Sequence, residues 1–218
     1  MRKHRLLAAT TGALLTTLLT ATPALAADNT VLTSGSVAGA AVAAGATISS
    51  SLAAGTTAVF ATAPGATSGM TCTTSSISAL IADNPAAPGS ATAGSTLALS
   101  DCTVSGIFGV LGVNSVTINN QPFATAVNSD GSVSVTGTEA AAIQATLVLR
   151  TLLGTVTCVF TANGNAITGT ADNTDNSISF ADQRFDRTSG PSACVTAGYF
   201  TARYAPVADD AGSPVFVN

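Results

Sequence analysis

Apolar and polar residues alternate with a period of two along much of the chain, in short runs rich in valine, threonine, isoleucine and phenylalanine. Glycine, proline, asparagine and aspartate separate the runs. Such alternation turns one face of each run to a core and the other to solvent, as half-buried antiparallel strands require. The pattern predicts strands over Thr47 to Leu52, Thr57 to Thr62, Ser75 to Ala82, Ser95 to Ser100, Ser115 to Asn119 and Phe123 to Val127. It predicts further strands over Ser132 to Thr136, Ile143 to Leu152, Thr155 to Ala162, Ala166 to Thr170, Ser177 to Ala181 and Gly198 to Tyr204. Asp130-Gly131 takes the positive φ angles of a tight turn and marks a hairpin, and Asn163-Gly164-Asn165 marks a second. Pro85, Pro88 and Gly89 signal a longer loop. Short strands at this spacing point to an all-β fold, an antiparallel β-sandwich of immunoglobulin-like kind.

Two stretches imitate helices. Val37 to Ala44 is rich in small residues, and Glu139 to Ala145 contains good helix formers, enough for one turn between strands. The mostly apolar run from Ala140 to Phe160 is interrupted by Gln144, Arg150, Gly154 and four threonines. It reads as two adjacent strands joined near Leu153-Gly154, not as a membrane span.

The beginning of the chain follows a different pattern. Arg2, Lys3, His4 and Arg5 precede an apolar stretch from Leu6 to Leu19, then Pro23 and Ala24-Leu25-Ala26. A basic start, a short apolar segment and a small-residue site make a secretory signal peptide over 1–26, cleaved between Ala26 and Ala27. The apolar segment is too short for a permanent span. The expected mature protein is a single secreted domain over 27–218, with no membrane span, found outside the cell or loosely associated with the envelope.

Removing 1–26 changes the charge balance. Four arginines remain (Arg150, Arg184, Arg187 and Arg203) beside all eleven acidic residues, with no lysine and no histidine. An acidic chain without a basic cluster cannot neutralise a run of phosphates, so nucleic acid is excluded as a partner. With 8% charged and 46% hydrophobic residues, the composition is also far from that of disordered chains.

Four cysteines, Cys72, Cys102, Cys158 and Cys194, read in an exported protein as two disulfides. Three connectivities are open. Local loop closure favours Cys72 with Cys102 and Cys158 with Cys194, giving each half its own staple. A faint echo accompanies this arrangement: Thr71-Cys72, Ala82-Asp83-Asn84 and Ser100-Asp101-Cys102 against Thr157-Cys158, Ala171-Asp172-Asn173 and Ser192-Ala193-Cys194. It is compatible with duplicated halves.

The same composition removes most catalytic chemistry. Serine and cysteine hydrolases of the triad type need an imidazole, and lysine dyads, Schiff bases and P-loops need a lysine. Imidazole-ligated metal sites fail for the same reason, and no C-x-x-C spacing supports zinc. No metal or cofactor is expected. Glu139 is the only glutamate, and Gln121, Gln144 and Gln183 are its candidate partners in a glutamic-peptidase arrangement. Glu139 reads more simply as a solvated residue before a strand. Asp172-Asn173-Thr174-Asp175-Asn176 offers oxygen ligands for calcium but departs from the EF-hand loop at Thr174 and Ser177, and reads as an Asx turn. Whether Asp172 and Asp175 bind calcium stays open. Asp209-Asp210 reads as a solvated tail.

Phe60, Phe123, Phe160, Phe180 and Phe200 fall within predicted strands and are assigned to the core. In Gln183-Arg184-Phe185-Asp186-Arg187, alternation sets Phe185 on one face and the Arg184 and Asp186 pair on the other. With no Trp and only Tyr199 and Tyr204, a carbohydrate platform is disfavoured.

The chain resembles a family of small actinobacterial secreted proteins labelled by their signal sequence and without an assigned activity. The resemblance rests on Gly69-Met70-Thr71-Cys72-Thr73, Asn84-Pro85-Ala86-Ala87-Pro88-Gly89 and Ser115-Val116-Thr117-Ile118-Asn119. It rests also on Leu152-Leu153-Gly154-Thr155-Val156-Thr157-Cys158, on Gly169-Thr170-Ala171-Asp172-Asn173-Thr174-Asp175-Asn176, and on Tyr199-Phe200-Thr201-Ala202-Arg203-Tyr204-Ala205-Pro206-Val207. It covers nearly the whole predicted mature chain and implies no catalytic residues. In layout the chain is similar to secreted proteins described as activators of alkane oxidation. In composition it resembles the neocarzinostatin-type apoproteins, acidic disulfide-stapled sandwiches that hold an apolar chromophore, although its cysteine spacing is wider than theirs. The function expected first is therefore a non-enzymatic one, surface interaction with an extracellular protein or the envelope. The alternatives are a carrier of a small apolar ligand and a protease inhibitor presenting Met70-Thr71 beside Cys72.

Overall fold

A computed structural model describes residues 29–218. The predicted signal peptide and the cleavage site at Ala26 and Ala27 lie outside the described residues. The described chain is all-β, with sixteen strands and one short 3-10 turn over Asn163–Asn165. In chain order the first eight are β1 Leu32–Ser34, β2 Ala40–Ala41, β3 Thr47–Ser51, β4 Ala58–Ala61, β5 Gly69–Asp83, β6 Ser90–Ser105, β7 Val110–Asn119 and β8 Phe123–Asn128. The others are β9 Ser132–Thr136, β10 Gln144–Thr151, β11 Gly154–Ala162, β12 Ala166–Asp172, β13 Ser177–Ser189, β14 Ala197–Tyr204, β15 Ala208–Asp209 and β16 Val215–Val217. Among the described residues no helix is long and apolar enough to cross a membrane.

The ladders close on themselves. In the order β12-β9-β8-β6-β5-β4-β14-β13, each strand pairs antiparallel with the next, and β13 pairs back onto β12. This makes a barrel-like ring of eight strands. A sandwich would divide these strands into two sheets with free edges between them, whereas here the corner pairings are themselves hydrogen-bonded. From β13 the sheet also continues outward as β11, β10 and β7. β11 and β12 occupy successive stretches of one edge of β13: Ala162 stands opposite Phe185, and Gly169 opposite Phe180. Asn163-Gly164-Asn165 is therefore a corner between end-to-end strands and not the expected hairpin, since β11 and β12 do not pair with each other. The bend falls where β13 is itself irregular, with Asp182 at φ 48° and a register shift between Phe180 and Gln183. Asp130-Gly131 does close a hairpin, between β8 and β9, with Gly131 at φ 83°.

β5 and β6 run well beyond the predicted Ser75 to Ala82 and Ser95 to Ser100. Their inward faces change phase midway: Met70 and Cys72 point in on one side of the change, and Ser75 and Ile81 on the other. Asp101 on β6 marks the switch with φ 52°. Cys72 stands directly opposite Cys102 there and is bonded to it. The second disulfide joins Cys158 on β11 to Cys194 in the segment before β14. Both are the local pairings favoured by the sequence.

The core runs through the ring. Phe60, Phe123, Phe160, Phe180 and Phe200 are all buried, as is Phe185. Phe60 meets Phe160 and Phe185 edge to face, with centroids 5.1 and 5.8 Å away, a geometry that contributes beyond area burial alone. Arg184 and Asp186 lie on the opposite face of β13 and form an ion pair at 2.7 Å.

A three-stranded sheet, β16-β1-β2, lies across one end of the ring. Side-chain amides hold it there. Asn84, in the β5–β6 turn, accepts from Leu32 N and donates to Leu32 O and Val42 O. Asn173 and Asn176, in the β12–β13 turn, bond the backbone of Val217 and Val215.

Candidate functional site

Alternation along the ring strands aims apolar side chains at a common interior. There they leave a cavity of about 110 Å³. Ile77 and Ile81 come from β5, Leu97 and Leu99 from β6, Phe123 and Val127 from β8, and Val133 and Val135 from β9. The far wall is Ile167, Phe180 and Phe200. Val116 and Ile118 of β7, with Ala145 and Leu147 of β10, cover the end away from the small sheet. Alanines account for part of the free volume, since Ala79, Ala91, Ala93 and Ala145 stand where larger side chains would fill it.

No charged side chain lines this space. The buried hydroxyls at its wall are bonded within the protein. Thr125 and Ser95 pair at 2.5 Å. The Ser75 hydroxyl donates to Ala98 O at 2.8 Å, so the fully buried Tyr204 hydroxyl donates to Ser75 Oγ at 2.9 Å. Among the described residues no buried side-chain polar atom lacks a partner. The chamber thus offers dispersion and apolar contact, with no unsatisfied group to hold a charged ligand or a metal, and transfer of a charge into it would be strongly unfavourable.

One wall is stitched by a side chain. β6 and β7 both border the cavity but share no ladder. The Gln121 amide bridges them, its carbonyl accepting from Leu97 N while its NH2 donates to Leu97 O and Ile118 O.

Burial pushes the Tyr204 phenol up to about 12 from its ordinary 10.0, against a smaller opposing effect of its bond with Ser75. The folded state therefore favours the neutral phenol. Its contribution is complete below pH 10 and is lost as the pH climbs through 12, an alkaline fall of about 3 kcal/mol. Urea midpoints between pH 8 and 12 should record that fall in the wild type and lose most of it in Tyr204→Phe, where Ser75 keeps its bond to Ala98 O. An unchanged fall in the variant would show that another group titrates.

The sequence-derived candidates do not gather into a catalytic site. Glu139 is exposed in the loop between β9 and β10. Gln121 stitches β6 to β7, Gln144 accepts from Asn119, and Gln183 holds Thr168 N and Ala181 O. Each glutamine is committed to local structure. Asp172 closes the expected Asx turn by accepting from Thr174 N, and that bond holds its carboxyl below the ordinary value. Asp175 pairs with Arg203. Asp209 is not part of a solvated tail: its carboxylate accepts from Ser34, Ala211 and Ser213 and organises the turn that leads into β16. Asp210 accepts from Thr47 N. Met70 and Thr71 lie inside β5, paired with β4 and β6, and Met70 is buried, so they form no exposed inhibitory loop.

Sequence reasoning offered an apolar-ligand carrier but did not place its cavity, and it missed an apolar prow formed by two neighbouring turns, β6 to β7 and β10 to β11. The only sequence signal for the prow is Leu152-Leu153 at a predicted turn. Fold and interior together define an all-β, disulfide-bonded antiparallel barrel with an uncharged apolar chamber. Comparison with protein-family models, with curated proteins and with solved structures finds no match for the chain.

Proposed function

We propose that the protein is a secreted, non-enzymatic carrier that holds a small, uncharged, apolar molecule inside its ring. The observation that carries this reading is the chamber of about 110 Å³ without a charged side chain. An engineered apolar cavity of about 150 Å³ stays dry and admits benzene, so the class of ligand is a single small ring or a short hydrocarbon chain. An empty cavity of 110 Å³ costs about 3 kcal/mol of stability, which a bound ligand would offset. Two disulfides and the basic-then-apolar beginning of the chain support an extracellular or envelope location. The acidic charge balance argues against nucleic acid, and no cofactor is invoked. The reading does not depend on whether the ring is flattened into the two facing layers of an immunoglobulin-like sandwich. It also stands apart from the resemblance to small actinobacterial secreted proteins, which implies no activity. Surface interaction with an extracellular partner is the second reading, favoured by large apolar side chains exposed at two neighbouring turns.

Toluene is a suitable probe. At ten times its dissociation constant it should stabilise the wild type by about 1.4 kcal/mol, a rise of about 4 °C in Tm. Ala145→Leu places extra carbons in the chamber and should abolish the shift while leaving the protein folded. An absent shift in the wild type, or an equal one in Ala145→Leu, would sink the carrier reading.

A further inference from the structure

Six large hydrophobic residues are exposed among the described residues, and four of them share one place: Phe108 and Leu153 at 100%, Leu152 at 71% and Leu111 at 53%. Phe108 sits in the turn between β6 and β7, and Leu152 and Leu153 form the turn between β10 and β11. The register joins the two turns side by side. Val110 pairs with Thr151, and Leu152 N donates to Gly109 O at 3.2 Å. The result is a convex apolar prow at the end of the outer sheet, with its largest side chains directed wholly into solvent. A monomeric soluble domain gains nothing by concentrating apolar side chains in this way, and such patches mark interaction sites.

The charge around the prow selects the partner. No Asp or Glu occurs between Asp101 and Asp130, nor between Glu139 and Asp172, so β7, β10, β11 and both turns carry no negative charge in an otherwise acidic chain. The one charged residue there is Arg150, which is exposed. Arg184 and Arg203 are ion-paired, and Arg187 donates to the carbonyls of Pro191 and Cys194. Arg150, among the described arginines, has neither kind of partner. Its guanidinium lies over Gly112, just inboard of the two tips, 3.3 Å from where a Cβ on that glycine would stand.

We infer that the prow is a membrane-docking tip, which inserts Phe108, Leu152 and Leu153 into the acyl boundary of a bilayer while Arg150 engages anionic lipid headgroups. A convex tip of unrestrained apolar side chains needs no complementary groove, and a bilayer supplies none. The lone cation behind it, in a region free of carboxylates, matches an anionic surface. Apolar insertion combined with electrostatic attraction is the usual basis of reversible interfacial binding. The inference is independent of what the ring holds, since the tip lies outside the cavity.

The test is sedimentation of the full protein with vesicles of equal parts phosphatidylglycerol and phosphatidylcholine, with pure phosphatidylcholine as the comparison. The wild type should bind the anionic vesicles. Phe108→Ser with Leu153→Ser should weaken binding at least about tenfold, and Arg150→Gln should weaken it several-fold on anionic vesicles with little effect on neutral ones. Both variants alter exposed side chains and should keep the wild-type Tm. In a separate variant, Phe108→Trp, fluorescence should shift to the blue on adding anionic vesicles. Wild-type protein that fails to bind them, binding unchanged by the double substitution, or a Phe108→Trp spectrum unmoved by lipid would each overturn the inference. So would a self-association that vanishes in the double variant while no vesicle binds, because the partner would then be a second copy of the chain.

Discussion

Alanine in place of Gly198 should destabilise the fold by about 3 kcal/mol. A Cβ built on Gly198 falls 2.1 Å from Cε1 and 2.2 Å from Cζ of Phe60, well inside any real contact. The Phe60 ring lies across β14 at this glycine, and it has no free direction in which to retreat, because Phe160 and Phe185 contact it edge to face. Admitting one methyl group therefore means moving three aromatic rings. Chemical denaturation of Gly198→Ala measures the loss directly. Phe60→Leu in the same background removes the ring that is struck and should recover part of it, so that the two substitutions together cost less than their sum. Additive costs would show that the glycine is needed for some other reason.

Loss of the bond between Cys158 and Cys194, by replacing both with alanine, should cost about 4 kcal/mol. The same treatment of Cys72 and Cys102 should cost nearly as much through the unfolded state, because the two sequence separations are 36 and 30 and loops so close in length differ by only about 0.2 kcal/mol in closure entropy. The folded states should respond differently. Cys72 and Cys102 face each other within a long continuous ladder that holds its register without them. Cys194 sits in the irregular segment between β13 and β14, tied down otherwise by Arg187, which donates to the carbonyls of Pro191 and Cys194. Amide exchange over 190–197 should rise sharply only when the bond from Cys158 to Cys194 is absent. Equal exchange in the two variants would mean that Arg187 suffices to order the segment.

Local chemistry was readable wherever a residue's conformation depends on its neighbours in sequence. Asp130-Gly131 turns back on itself because both residues tolerate the required angles, and Asp172 caps its own turn. The alternation that identified Phe180 and Phe200 as inward-facing needed nothing but period two. The readings that failed depend on distant partners. Asn163-Gly164-Asn165 has good hairpin chemistry, yet whether its flanking strands pair with each other or with β13 is decided by residues 177–189. The outer halves of β5 and β6 were hidden by the change of phase near Asp101, which breaks the alternation while the ladder continues. Small interior side chains allowed a cavity to be expected, but its position was beyond reach for a related reason. Period two says that Ala79, Ala93 and Ala145 face inward, but not that their short side chains meet across one space. The prow needed the pairing of Val110 with Thr151 before Phe108 and Leu153 could be seen as neighbours.

The ring has a consequence for the order of events along the chain. Phe60 of β4 stands opposite Phe200 of β14, so closure joins a strand from the first third of the sequence to one from its last tenth. Such distant pairings are entropically costly before they are rewarded, which makes this a slow topology to complete. Until Ala197–Tyr204 arrives, β4 and β13 each keep an unpaired edge, the kind of edge that recruits other chains. The hazardous period for this molecule is therefore the interval before its C-terminal strands dock, when a low-charge chain must remain unassociated with the β4 and β13 edges still open.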